Sequence, residues 1–335
     1  MILSDSLNFS NFEHVYCKSY RLGWKVQTLL PVLCCTHQIF CEHKLILFPY
    51  STYLQNYDPF LECKVESFVN SKGAIIALGE HLNSVLKKAS LWGNRCDLSL
   101  SGGDAVSPDS NILAQTEKLD KFILVDKTPL VWKTLTEKKE TESKKSLTIF
   151  LANFDIVLDN AGYELFTDLI LADYLISSKL VNKIRFHAKS QPWFVSDVNP
   201  SDFEYVLNAV TNDLEDRIWS LEAEPFWTYF YDFDAMKEND PELYGKLGEA
   251  TLVIFKGDLN YRKLMADIHW DPTTSFREAL QSFHPTNLLS LRTVKADLIS
   301  GLKPGVAENL TNIKPDWLLT GEYATIQFDP CDDDE

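Results

Sequence analysis

Basic residues are scarce in this 335-residue chain: 32 lysines and arginines face 48 aspartates and glutamates, a formal charge of −16 at pH 7. That balance excludes a general binder of the nucleic-acid backbone, which needs a basic face to displace counterions. An anionic small ligand would need a local positive centre, either a metal ion or a few placed lysines and arginines. Glycine-rich phosphate loops are missing too. Neither a P-loop nor a Gly-x-Gly-x-x-Gly fingerprint occurs, which removes the common modes of tight nucleotide and dinucleotide binding. There is no Gly-x-Ser-x-Gly elbow, and the seven histidines fall in no recognisable motif, so a nucleophilic triad finds no support. Long apolar runs are lacking as well. The stretch 26–48 is interrupted by Pro31, His37, Glu42, His43 and Lys44, which speaks against a membrane span, and no basic and apolar leader opens the chain.

What is present points to a large folded unit. With 45% hydrophobic and 12% aromatic residues the chain can bury a sizeable core, most simply one main domain with a smaller one attached. Seven scattered cysteines, an odd number, do not read as a secreted disulfide framework. We expect an intracellular protein of the cytoplasm, with the nucleus as a second compartment open to it. Cys34, Cys35, His37, Cys41 and His43 crowd together, but their spacing matches no paired zinc motif, and apolar packing is the simpler reading.

The expected organisation is an N-terminal helical or cap region over 1–90, with 1–56 atypical, an α/β catalytic domain over 91–330, and an acidic tail over 331–335. From Asp58 to about Leu86, Phe68, Ile75, Ile76, Leu78, Leu82 and Val85 recur at helical spacing. Beyond the polar stretch 136–146, short apolar runs alternate with helical patterns, which is the signature of βαβ units and a Rossmann-like, mainly parallel sheet. Strands are expected at 121–125, 147–151, 154–158, 183–187, 192–195, 251–255, 287–291 and 323–328, and helices at 162–178, 201–212 and 261–266.

Three of these apolar runs end in similar polar groups. Ile156-Val157-Leu158 leads into Asp159-Asn160, Trp193-Phe194-Val195 into Ser196-Asp197, and Val253-Ile254-Phe255 into Lys256-Gly257-Asp258. In a parallel sheet such ends share one edge, where open α/β folds bind ligands. Two carboxylates and an amide oxygen suit a hard or borderline divalent ion. Each Asp could instead cap the helix that follows it; three in register favour a shared metal site. Asp258-Leu259-Asn260-Tyr261-Arg262-Lys263 is a polar loop whose Arg and Asn could hold phosphate oxygens, or a simple surface turn. Arg292-Thr293-Val294-Lys295 follows another apolar run and adds positive charge. The aromatic stretch Phe226–Tyr231 reads as a lid or, more simply, as packing.

Asp159-Asn160-Ala161-Gly162-Tyr163-Glu164-Leu165, Trp193–Asp197, Phe255–Lys263, Arg292-Thr293-Val294-Lys295 and the segment Leu91–Ser99 together resemble the metal-dependent damage-control phosphatases, in the subgroup also described as acidic-residue methyltransferase 1. The resemblance covers roughly residues 57–330; residues 1–56 do not share it. It implies that Asp159, Asn160 and Asp197 bind a divalent metal such as manganese, cobalt or nickel. Asp159, Asn160, Asp258, Leu259, Asn260, Tyr261, Arg262 and Lys295 would then contact a sugar phosphate of the fructose 1-phosphate or fructose 6-phosphate kind. Asp258 and Lys295 would be the catalytic pair, with Asn94, Asp97 and Arg292 as further pocket residues. Under the methyltransferase description, Glu164 and Asp197 would contact S-adenosylmethionine and the substrate would be a protein glutamate. Phosphomonoester hydrolysis is the leading expectation, followed by carboxyl methylation and by an inactive binding protein.

Overall fold

The structure is a computed structural model, and it describes residues 58, 60–71, 90–91, 119–134, 152–210 and 219–331. The Cys/His crowd of 34–43, the strand expected at 147–151, and Asn94 and Asp97 lie outside the described residues.

Seven strands form one sheet in the order β1-β7-β6-β5-β2-β3-β4. They are β1 (Ile123–Asp126), β2 (Asn153–Val157), β3 (Lys183–His187), β4 (Trp219–Glu222), β5 (Leu252–Lys256), β6 (Leu288–Thr293) and β7 (Ala324–Asp329). All neighbours are parallel except β6 and β7. The α/β, mainly parallel architecture expected from the alternation of strands and helices is therefore what forms.

The pleat sorts the side chains of the central strands to opposite faces. Phe154 and Ile156 of β2 and Leu252 and Ile254 of β5 face one core, shared with Leu165, Phe166 and Leu169 of α2 (Tyr163–Ser177) and Phe203 and Val206 of α3 (Pro200–Val210). Val157, Val253 and Phe255 face the other, with Leu243 and Leu247 of α4 (Pro241–Gly248) and Tyr261 and Leu264 of α5 (Gly257–Leu264). Strands covered on both faces must be apolar throughout, which is why β5 is buried at every position. Most of α2 is buried because the sheet lies beneath it and α1 (Leu61–Asn70) lies against its start, with the backbone of Phe68 close to Gly162.

Three sequence expectations change. Residues 192–195 are a turn and not a strand, with Phe194 and Val195 at φ of 43° and 67°. The chain must reverse there to bring Ser196 and Asp197 back beside Asn160, where Asn160 and Asp197 form an isolated antiparallel bridge. The helix expected at 261–266 begins at Gly257 instead, because a φ of +78° at that glycine turns β5 directly into α5. Edge strand β4 was not expected: Trp219-Ser220-Leu221-Glu222 is short and half-buried, so it carries no strong periodic signal. The aromatic stretch is mostly packing, with Phe226 and Trp227 fully buried, although Phe230 remains 81% exposed.

Candidate active site at the sheet switch point

From β2 the chain proceeds outward to β3 and β4, then returns to β5 on the opposite side of β2 and continues outward to β6. The crevice between β2 and β5 is thus a topological switch point, and ligand sites form at the carboxyl ends of strands beside such a point. Asp159 follows β2, Asp197 lies in the loop after β3, Asp258 opens α5 after β5, and Lys295 follows β6. All four segments lie at the carboxyl-terminal edge of the sheet.

Backbone pairing fixes the first two relative to one another. Val198 N–H donates to the Asp159 carbonyl (2.8 Å) and Ala161 N–H to the Ser196 carbonyl (2.8 Å). The Asn160 amide nitrogen donates to Asp159 Oδ2 (2.9 Å) and Glu164 Oε2 (2.8 Å), and its oxygen accepts from Ser196 Oγ (2.6 Å). Gly257 closes the other side. A Cβ at that position would sit 1.8 Å from Asp159 Oδ2, so only glycine allows α5 to start against this carboxylate. Lys64 of α1 secures the Asp197 loop from outside: its buried ammonium donates to the Asp197 carbonyl (2.8 Å) and pairs with Asp58 (2.9 Å) and Asp202 (2.8 Å).

Two buried lysines that the sequence reading did not assign run through the site. Lys189 donates to the Leu158 carbonyl (3.1 Å) and Asn260 Oδ1 (3.3 Å), with Asp197 Oδ2 at 3.6 Å. Lys256 pairs with Glu164 (3.0 Å) and Asp168 (2.9 Å) and donates to the Ser90 carbonyl (2.6 Å). Burial pushes the Asp168 carboxyl up to about 6, against the pull of Lys256, and the neighbouring Glu164 adds to the rise. The signal that could have found Lys256 is a lone charge ending the otherwise apolar run Leu252–Phe255.

Several residues expected to touch substrate are committed to the protein itself. Asn260 is buried and donates to the Leu158 and Lys256 carbonyls (3.1 and 2.7 Å), which ties the ends of β2 and β5 together. Tyr261 is buried, stacks on Phe276 and meets Ser300 through its hydroxyl. Arg292 lies within β6, 4.0 Å above the Tyr261 ring, and donates to Asp258 Oδ1 (2.7 Å), so it orients Asp258 rather than lining a pocket. Arg262 is held in a fork by Asp267, with both bonds at 2.7 Å. Lys295 is half-buried; its backbone N–H donates to Asp258 Oδ1 (3.2 Å). Leu259 is a half-buried residue of the first turn of α5.

The donor set suits a divalent cation. At this edge the buried carboxylates of Asp159, Glu164, Asp168 and Asp197 lie together with the buried ammonium groups of Lys189 and Lys256. Among the described residues no three His, Cys, Asp or Glu groups are gathered into a metal cage. The available donors are therefore two carboxylates and an amide oxygen, an all-oxygen set for a hard or borderline ion.

The family model described as the damage-control phosphatase ARMT1-like domain matches residues 38–310, reaching further into the N-terminal segment than the motifs alone. Damage-control phosphatase ARMT1 of Bos taurus is 42% identical over 309 residues, covering 82% of this chain and 69% of that protein. The Xenopus laevis protein of the same name is 41% identical, covering 82% and 69%, and that of Homo sapiens 40%, covering 82% and 68%. Over most of its length, then, this chain belongs to the damage-control phosphatase ARMT1-like family and is an enzyme of the phosphatase class.

Proposed function

We propose that this enzyme hydrolyses small sugar phosphates of the fructose 1-phosphate and fructose 6-phosphate kind, using manganese, cobalt or nickel held by Asp159, Asn160 and Asp197. The observation that carries this reading is that Asp159, Asn160 and Asp197 meet at the switch point, Asn160 hydrogen-bonded to Asp159 and bridged to Asp197. A bound ion would polarise the phosphoryl oxygens and orient the attacking group. Phosphoryl transfer otherwise asks for positioning and for neutralisation of spreading charge. Here the chain contributes Asp258, held by Arg292, as proton acceptor, proton donor or nucleophile, and Lys295 beside it as the cation. Arg262 would join only after leaving Asp267.

In the presence of manganese or cobalt the protein should release phosphate from fructose 1-phosphate, and Asp159→Ala should lower that rate by at least about 10²-fold, the scale of losing one charge-stabilising group. Metal-independent release, or full activity in the variant, contradicts the proposal. The same residues weigh against carboxyl methylation of a protein substrate. Glu164 is buried with one oxygen on Lys256 and the other on Asn160, which does not present it to S-adenosylmethionine. Calorimetric binding of S-adenosylmethionine to metal-free protein would favour methylation, and bound metal without turnover on a sugar-phosphate panel would favour a binding protein.

A further inference from the structure

We propose that Glu164 is a positioning residue that sets the direction of the Asn160 amide, and that Lys256 and Asp168 hold Glu164 in place for that task. This rests on the reading of Asn160 as a metal ligand. An ionised carboxylate only accepts hydrogen bonds, so an amide facing one must present its nitrogen. Asn160 Nδ2 donates to Glu164 Oε2 at 2.8 Å and to Asp159 Oδ2 at 2.9 Å. The amide oxygen is thereby directed to the opposite side, toward the Ser196-Asp197 strand of the bridge, where Ser196 Oγ meets it at 2.6 Å.

Glu164 is suited to this task because it is anchored from behind. It lies in the first turn of α2, four residues after Asn160, and Lys256 grips its other oxygen at 3.0 Å. Lys256 is held in turn by Asp168, one turn further along α2, and by the Ser90 carbonyl, while Ser90 Oγ donates to Asp168 (2.7 Å). The chain Asp168, Lys256, Glu164, Asn160 therefore runs through the protein to the proposed metal position. Carboxylates placed behind metal ligands act in this way, and removing one typically weakens metal affinity by about 10 to 100-fold.

The test is calorimetric titration of manganese into the wild type, Glu164→Gln and Glu164→Asp, with thermal melting of each metal-free protein as the check on folding. Gln keeps the size, but Lys256 can only donate and so holds the Gln oxygen, which leaves an amide nitrogen facing Asn160 Nδ2 and removes the acceptor that sets its direction. Asp keeps the charge beside Lys256 but withdraws it from Asn160. Both variants should bind manganese about 10 to 100-fold more weakly, and their phosphatase activity should need correspondingly more manganese. If Glu164→Gln fails to fold, Glu164→Asp carries the same expectation. Wild-type affinity in a folded variant overturns the role given to Glu164 and leaves the metal reading standing. A wild type that binds no divalent ion overturns both.

Discussion

Gly257 offers the sharpest test of the site. A Cβ there would stand 1.8 Å from Asp159 Oδ2, 2.2 Å from Cγ and 2.7 Å from Cβ, whereas real Cβ contacts essentially never fall below 3.0 Å. Gly257→Ala must therefore drive the carboxylate and the start of α5 apart by at least 3.0 − 1.8 = 1.2 Å. The backbone φ of +78° adds about 1 to 2 kcal/mol of strain for any residue with a Cβ. Misplacement of a catalytic group by about 1 Å typically costs about 10²-fold in rate. Gly305→Ala is the matched control: its φ is +82°, but nothing lies within 4 Å of the added methyl and the position is far along the chain, at the start of α6 (Val306–Ile313). Both variants should lose about 1 to 2 kcal/mol in thermal or urea melts from the backbone strain alone. Only Gly257→Ala should also lose manganese affinity in calorimetry and at least about 10²-fold in phosphate release. If the two variants retain equal activity and equal metal affinity, Asp159 is not packed against Gly257 in the working enzyme, and the site described above is wrong.

Other outcomes follow from the buried charges. Burial is the largest influence on His187 and lowers its pKa, but the carboxylates of Asp155, 3.3 Å from Nε2, and Glu224, 3.2 Å from Nδ1, outweigh it, so the imidazolium is stabilised and the pKa is raised from 6.5. A raised cationic group stabilises the fold fully below its unfolded value near 6.5, and that contribution is lost as pH climbs through the folded value. Melting temperature followed upward from pH 6 should fall in the wild type, with a shallower fall in His187→Gln; parallel curves would show that His187 is not charged. Lys64→Met should cost about 3 to 5 kcal/mol in urea unfolding, because Asp58 and Asp202 would remain buried without their shared cation. A loss below about 1 kcal/mol would mean that water reaches those carboxylates.

The sequence by itself determined the positions of most strands in the described region and the order in which polar groups follow them. The expected run 183–187 coincides with β3, and 154–158, 251–255 and 323–328 differ from β2, β5 and β7 by one residue at each end. Strand β5 was legible because a strand buried on both faces is almost continuously apolar and here ends at a glycine, whereas β3 showed through its alternation of Ile184 and Phe186 with Lys183, Arg185 and His187. Asp159 stood out for a related reason: a carboxylate just past the buried strand β2 is conspicuous against its apolar neighbours. The turn at Trp193–Val195 was not legible, because its apolar composition imitates a strand and only the pairing of Asn160 with Asp197 compels the reversal.

Tertiary structure alone decided which polar residues serve the site and which serve the fold. Asn260, Tyr261 and Arg292 look like ligand contacts in a polar motif, yet their partners lie at Leu158, Phe276 and Asp258, brought near only when the strands pair. Lys189 stands in no motif, and Lys256 sits in one without a role assigned to it. They acquire a role because folding buries four carboxylates at one edge, and a low-dielectric interior demands nearby positive charge. Local sequence fixes which groups end each strand; the compensation of their charge is a property of the assembled sheet, since it depends on residues as far apart as Ser90 and Lys256.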